Sequence, residues 1–452
     1  MNKHLISTAL AGLALALQAG AASAAATPAE AAKLKSELTP LGAEKAGNKE
    51  GTIPAWTGGY TTAIPGDKAG GRRGDPFKDE KPLYSVTAQN MDKYAEQLTD
   101  GVKALLKKYP EYRLDVYPTH RTAAAPQYVY DNTFKNATRG KIVNEVPADV
   151  VGGIPFPLPR SGEEVMWNHM LRWRGSAFQT HYAQHQITAA GKDVVVSEGV
   201  IDAQIPYYYP EATVESFAKA PETYLIRLIN SGPPIRAGEA IMGRDQIDLA
   251  KTQSWVYLTG QRRVRKLPNP CCDTPSPVTG GLMSFDEIQT WSGRLDRFDF
   301  KIVGKKEMLI PYNGNKLLQP KTDAEVITKT GVNPAFQRWE LHRTWVVDAT
   351  LRSGQRHPAA KSRYYCDEDT WACVLGDRWD ANGQLWKTLW SATFVAPDLP
   401  GTVIGSFGFN DLLSGTAYVG DLYNSKSAHY VLKPRYPDSV FTPESMAGDS
   451  VR

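Results

Sequence analysis

Trp339-Glu340-Leu341-His342-Arg343-Thr344-Trp345-Val346-Val347 is the stretch that decides the fold class. Trp339, Leu341, Trp345 and Val347 fall on one side of an extended chain, with Arg343 among them. Glu340, His342 and Thr344 fall on the other. A period of two is that of a strand with one half-buried face. The same alternation recurs on both sides of this stretch. Upstream, Asp299 and Lys301 interleave with Phe298, Phe300 and Ile302, and Trp255 and Tyr257 oppose Val256 and Leu258. Downstream, residues 384–395, 403–409 and 417–423 continue it. Asn313-Gly314 and Asn382-Gly383 punctuate the series as turn signals. From about residue 177 onward this spacing predicts a large, mostly antiparallel sheet with one apolar face, without repeated βαβ units. No period of 20–50 residues points to a solenoid.

Such a sheet must cover its apolar face, and the chain offers few helices to do so. Met91, Tyr94, Leu98, Val102, Leu105 and Tyr109 recur at steps of three and four. They predict an amphipathic helix over 87–109, with Thr87 as N-cap, Pro110 beyond its end, and Lys103, Lys107 and Lys108 in its C-terminal half. Ser161 and Glu164 read as a capping box that opens a second helix carrying Val165, Met166, Met170 and Trp173. A short helix is expected over 28–38, within an otherwise irregular arm spanning 25–85. The fold class is therefore mainly β (α+β): a curled antiparallel sheet or incomplete barrel over 86–452, with helices as a lid. A curled sheet under a lid leaves an aromatic-lined hollow suited to an apolar ligand. Trp255, Tyr257, Phe298, Phe300, Trp339, Trp345, Trp386 and Trp390 are the candidate ligand-binding residues, and most aromatics must also fill core.

Composition sets the class of partner. The 452 residues are 42% hydrophobic and 22% charged, which excludes a disordered tail, a coiled coil and a collagen-like rod. A formal charge of +4, from 52 basic and 48 acidic residues, is too near balance to point to nucleic acid. The charge that exists is locally concentrated in Arg262, Arg263, Arg265 and Lys266. That run is either a solvated strand edge that discourages aggregation or a rim for a lipid phosphate or an acidic partner surface. The N-terminus reads as a leader. Lys3 precedes the apolar run 5–17, and Ala22-Ser23-Ala24 fits a cleavage site, so residues 1–24 are expected to be removed from an exported, periplasmic chain.

An exported chain with four cysteines implies disulfides. Cys366 and Cys373 flank a polar turn and are expected to bridge a hairpin. Closing so short a loop stabilises by about 2.5 kcal/mol. Cys271 and Cys272 either bridge each other or reach across to that pair. The spacing lacks the paired CxxC of a zinc site, and no metal or other cofactor is expected. His181 and His185 are four apart on an expected strand, about 13 Å from one another, too far to share an ion. His120 and Arg121 with Asp115, and His342 and Arg343 with Glu340, read as structural hydrogen-bonding groups, because adjacent strand residues diverge. No G-x-S-x-G elbow, P-loop or dinucleotide fingerprint is present, and no catalytic residue is assigned.

Several segments together resemble a large family of Gram-negative exported proteins grouped with outer-membrane lipoprotein-sorting proteins. They are Leu38-Thr39-Pro40-Leu41-Gly42-Ala43-Glu44, Gly51-Thr52-Ile53-Pro54-Ala55-Trp56-Thr57-Gly58-Gly59 and Val116-Tyr117-Pro118-Thr119-His120-Arg121. Further on they are Gln261-Arg262-Arg263-Val264-Arg265-Lys266-Leu267-Pro268, the 339–347 stretch, Asp367-Glu368-Asp369-Thr370-Trp371, Trp379-Asp380 and Gly383-Gln384-Leu385-Trp386. The resemblance covers nearly the whole chain after the leader. It implies a fold like LolA and LolB, an incomplete barrel under a helical lid holding acyl chains. It also implies association with an inner-membrane exporter of the resistance-nodulation-division type and an outer-membrane protein. The sequence departs from the family pattern at Pro270-Cys271-Cys272-Asp273. The expected function is a carrier or chaperone for a lipid-like molecule. The alternatives are a hydrolase acting on an apolar ester and a ligand-free adaptor of an envelope transport complex.

Overall fold

Two meanders of antiparallel strands share one sheet. In the computed structural model, residues 25–449 are described, apart from 68–69, 269–270, 278 and 427–428. The expected leader, 1–24, lies outside the described residues. The strands of the sheet are β1 (Tyr84–Val86), β2 (Leu114–Val116), β3 (Ala177–Ile187), β4 (Asp193–Gln204), β5 (Glu222–Gly232), β6 (Ala240–Gln246), β7 (Gln253–Leu258) and β8 (Arg263–Lys266). They continue with β9 (Phe298–Pro311), β10 (Trp339–Leu351), β11 (Lys361–Asp367), β12 (Cys373–Trp379), β13 (Leu385–Ala396), β14 (Gly401–Asp411), β15 (Ala417–Leu422) and β16 (Val431–Leu432). β3 to β8 pair in sequence order, and so do β9 to β15. Pairing of β15 with β3 joins the two meanders into one 16-stranded sheet. The sheet does not close: β8 pairs only with β7, and β9 only with β10. β1 and β2 attach to the start of β10, where Val116 lies beside Trp339.

The mainly β, open-sheet class is as the alternation predicts. The single apolar face is not. In β10 every residue from Trp339 to Thr344 is buried, on both sides of the strand. Glu340 and His342 mark a polar face in sequence, yet that face is covered. The His120 amide donates to Glu340 Oε2 at 2.9 Å, and Asn313 Nδ2 donates to the same carboxylate. The irregular arm also packs here. Arg121 donates to the carbonyls of Glu44 and Pro54, and Trp371 Nε1 donates to Leu41 O at 2.8 Å.

The helix expected over 87–109 is two pieces, a 3-10 segment Met91–Gln97 and a helix Asp100–Lys108. Leu98 and Thr99 between them are extended. Thr99, not Thr87, is the N-cap and accepts from Val102 N at 3.1 Å. The buried Asp377 carboxylate accepts from Gly101 N at 3.0 Å and anchors that helix start. Apolar spacing at three and four survived the break because Met91, Leu98, Val102 and Leu105 still reach one cluster, with Met308, Val374 and Trp390. In chain order the principal helices are α1 (Pro28–Ala32), α2 (Asp100–Lys108), α3 (Gln127–Arg139) and α4 (Gly162–Met170). Pattern reading does not anticipate α3, although Val129, Thr133 and Asn136 share its buried side. The Ser161 box is half formed. Ser161 Oγ accepts from Glu164 N at 3.3 Å, but the Glu164 carboxylate turns to the Arg160 amide at 2.6 Å.

Cys366 and Cys373 are bridged across the β11–β12 hairpin, and Cys271 is bridged to Cys272. The turn between β11 and β12 is locked by Asp367 Oδ2, which accepts from both the amide and the hydroxyl of Thr370, at 2.8 and 2.6 Å.

A Cβ at position 101 would overlap the Asp377 carboxylate and Thr388. Gly101→Ala should therefore cost about 1–3 kcal/mol in urea unfolding. An unchanged unfolding midpoint would mean that α2 is not docked through this glycine.

Candidate functional site

The inward residues of β3 to β7 are under-filled. Ile226 and Leu228 on β5 point one way, while Leu225 on the same strand packs with Phe441 and Met446 near the C-terminus. Across the inward side lie α4, through Trp167, Met170 and Leu171, and the segment 271–294, through Phe285, Ile288 and Trp291. Between sheet and cover a hollow of about 250 Å³ remains. It is just below the common range of small-molecule sites, about 300–1,000 Å³. Its sheet side includes Phe178, Ile201, Ile241 and Phe407. Gly243 lies among them, with Ile226 Cγ2 at 3.1 Å and Ser254 Oγ at 3.7 Å from where its Cβ would be.

The cover is anchored by buried charge. A short 3-10 turn, Phe285–Glu287, carries Asp286 and Glu287 under the sheet. Asp286 Oδ2 meets His357 Nε2 at 2.8 Å and Arg378 at 3.5 Å. Lys387 Nζ meets Glu287 Oε1 at 2.8 Å. Burial pushes Asp286 up, but Arg378 and His357 outweigh it and hold the carboxyl well below its ordinary range.

Charged side chains border the hollow: Arg172, Arg174, Asp245, Asp421 and Arg294, the last paired with Asp296. Arg172 is 4% exposed. Its Nη1 donates to His169 O at 2.5 Å and its Nη2 to Gln289 Oε1. Arg174 donates to Met170 O at 2.8 Å, and its guanidinium sits 4.7 Å from the Tyr224 ring centre. Asp245 and Asp421 also line the wall. Burial raises Asp245 to about 6, with Arg174 partly opposing. Burial raises Asp421 to about 7, offset in part by the Gln184 amide at 2.7 Å. His169 stands behind the wall as a neutral ring. Its Nδ1 accepts from Cys373 N and its Nε2 donates to Trp291 O, both at 2.9 Å. Burial pushes its basicity well down. The lining holds Ser254, Ser276 and Ser292 but no histidine among the described residues, so it does not assemble the serine–histidine–carboxylate set of an ester hydrolase.

The family model described as protein of unknown function (DUF1329) matches residues 85–447. The chain belongs to this family. It is 36% identical over 450 residues to the uncharacterized protein PA3922 of Pseudomonas aeruginosa, covering 97% of each chain. Among solved structures it is similar to a domain from Vibrio parahaemolyticus assigned to outer membrane lipoprotein sorting. That match has a TM-score of 0.43 and 11% identity, over 63% of this chain and 97% of that one. A LolA superfamily protein from Nitrosomonas europaea matches with TM-score 0.37 and 12% identity, over 64% of this chain and 100% of that one. A DUF1329 protein from Desulfovibrio piger matches with TM-score 0.39 and 11% identity, over 60% and 92%. No helix among the described residues is long and apolar enough to cross a membrane.

In this DUF1329 chain, none of the eight aromatics singled out from sequence lies among the residues lining the hollow. Trp255 and Tyr257 turn to the opposite side of β7, toward Phe441, while their neighbour Ser254 faces inward. Phe298 and Phe300 pack around Trp291, at 5.9 and 5.6 Å between ring centres. Trp339 and Trp390 fill the cluster that holds α2. Trp345 lies 6.2 Å from Trp371 and beneath Lys305, and Trp386 donates to Asp411 at 3.0 Å. The 87–109 segment, expected as a lid, does not border the hollow, because α2 packs into that other cluster; α4 and 271–294 lie across it instead. Arg262, Arg263, Arg265 and Lys266 are exposed, three of them on the free edge strand β8. Arg172 and Arg174 were missed. Their only local signal is the alternation Leu171-Arg172-Trp173-Arg174 beside a helix end.

The histidine sets bond structurally, with partners different from those nearest in sequence. His342 pairs with Glu340 at 3.0 Å, but Arg343 reaches Glu368 and Ala46 O. His120 pairs with Glu80 and Arg121 with Asp369, leaving Asp115 to Arg113. His342, Asp367 and Asp369 have ligand atoms within 4.8 Å of one another. There the Arg121 guanidinium takes both Asp369 oxygens, at 2.9 and 2.7 Å.

His185 sits at a bulge of β3, its Nδ1 2.9 Å from Asp193, with Asp323 at 3.7 Å from Nε2. Burial opposes its charge, but the two carboxylates prevail and raise it from 6.5 to about 9. A raised histidine stabilises fully below its unfolded value and loses that contribution as pH climbs through the folded one. The melting temperature of the wild type should fall from about pH 6.5 to 9 relative to His185→Gln. Parallel curves from calorimetry would refute the pairing.

Proposed function

We propose that this protein is an exported, periplasmic carrier that holds a lipid-like molecule in the hollow beneath α4 and segment 271–294. The observation that carries this reading is the under-filled, largely apolar space between β3–β7 and their cover. Each methylene removed from water there contributes about 0.8 kcal/mol, so one short aliphatic segment binds without covalent chemistry. The leader-like N-terminus and the hairpin disulfide support passage into an oxidising compartment. Handing the cargo to or from an exporter of the resistance-nodulation-division type and an outer-membrane protein fits this role. A solid interior would have favoured a pure adaptor.

Native mass spectrometry of protein purified gently from its own envelope should find a co-purifying hydrophobic molecule. A fluorescent fatty-acyl probe should bind the emptied wild type. Gly243→Leu, whose side chain would enter the hollow, should weaken the probe at least tenfold with near-UV circular dichroism unchanged. Empty protein that also ignores the probe would remove the carrier reading.

A further inference from the structure

We propose that the ligand of the hollow is an anionic amphiphile, whose head, a carboxylate or a phosphate, is held by Arg172 and Arg174 while its tail lies against Ile226, Leu228 and Ile241. This rests on the carrier reading and deepens it. Both guanidiniums border a predominantly apolar wall, and neither makes an ion pair with an acid among the described residues. Their partners are neutral: two main-chain carbonyls, the Gln289 amide and the Tyr224 ring. Arg174 Nε is buried with no hydrogen-bond partner. Elsewhere in the molecule buried arginines are matched. Arg121 has Asp369, Arg338 has Glu340, and Arg378 has Asp286. Among the described residues, Arg172 is the buried arginine without such a match.

An unmatched buried cation is costly, and two neighbouring ones repel. Burial and the Arg174 charge both push Arg172 well below its ordinary basicity. Asp245 and Asp421 share the wall without an ion pair to either guanidinium, and burial raises them to about 6 and about 7, so each carries less charge than an exposed carboxylate. An anion arriving on a ligand would satisfy the open Arg174 donor and offset the repulsion between the two guanidiniums. The planar fork of arginine suits the paired oxygens of a carboxylate or phosphate.

Competition against a neutral fluorescent acyl probe tests this with the mature full-length protein, using oleate, oleyl alcohol and oleyl phosphate at one ionic strength. Wild type should bind at least one of the two anions ten times or more tighter than the alcohol. The tighter of the two identifies the head. Arg174→Gln should erase that preference and keep the alcohol affinity. Equal affinity of wild type for all three overturns the head-group assignment and leaves the carrier reading standing. Failure to bind any of them removes both. Equal loss of anion and alcohol in a folded Arg174→Gln overturns the placement at Arg174. A reading that needs no variant is the ¹³C shift of carboxyl-labelled oleate. The bound carboxylate should stay ionised to lower pH than the free one, and an unchanged or raised titration midpoint counts against the pair.

Discussion

An antiparallel sheet that does not close has two faces and two edges to reconcile with water, and most of this molecule answers that constraint. Backbone groups inside the sheet pair with one another, but the side chains on each face need a cover. The meander β9–β15 is buried on both sides along much of its length. One cover is α2 with its cluster, and another is formed by the irregular arm and the segment around His120. The meander β3–β8 is covered outside by Phe441 and the C-terminal helix Pro443–Asp449, and inside by α4 and residues 271–294. That last contact is incomplete. The hollow is what remains when a curved sheet is bridged by too few side chains.

Charge does the fastening where apolar contact is thin. The arm has little regular structure, and it is tied down through Arg121, Arg343 and Lys305 against Asp369, Glu368 and Glu44. The inner cover is tied through Asp286 and Glu287 to Arg378, His357 and Lys387. Buried pairs of this kind add little net stability compared with apolar packing, but removing one partner is costly, so they specify position. Glu340 shows the balance. Burial pushes its carboxyl up, yet His342, Arg338 and the His120 amide hold it below the ordinary range. Against that background Arg172, buried, and its neighbour Arg174 differ in having neutral hydrogen-bond partners and no ion pair among the described residues.

The strands around Trp339, Trp255 and Phe298 could be read from their alternation, as could the hairpin bridged by Cys366 and Cys373. The two-piece nature of 87–109 could not, because its apolar spacing is compatible with a single helix. Asp377, 276 residues away from Gly101, defines where α2 starts. The aromatic lining was misplaced for a similar reason. Alternation separates Ser254 from Trp255 but does not say which of them faces a cavity and which faces the C-terminal helix.

Sequence by itself determined what depends on neighbours along the chain: period-two strands, turn positions, a disulfide across a short hairpin, and a mainly β molecule with few helices. Tertiary structure alone decided which layer covers each face, how the two meanders join through β15 and β3, and where the space is left. Those outcomes depend on contacts such as Arg121 with Asp369, 248 residues apart. No local pattern encodes them, because the energy of a buried face or charge is defined only once its partner has been brought beside it.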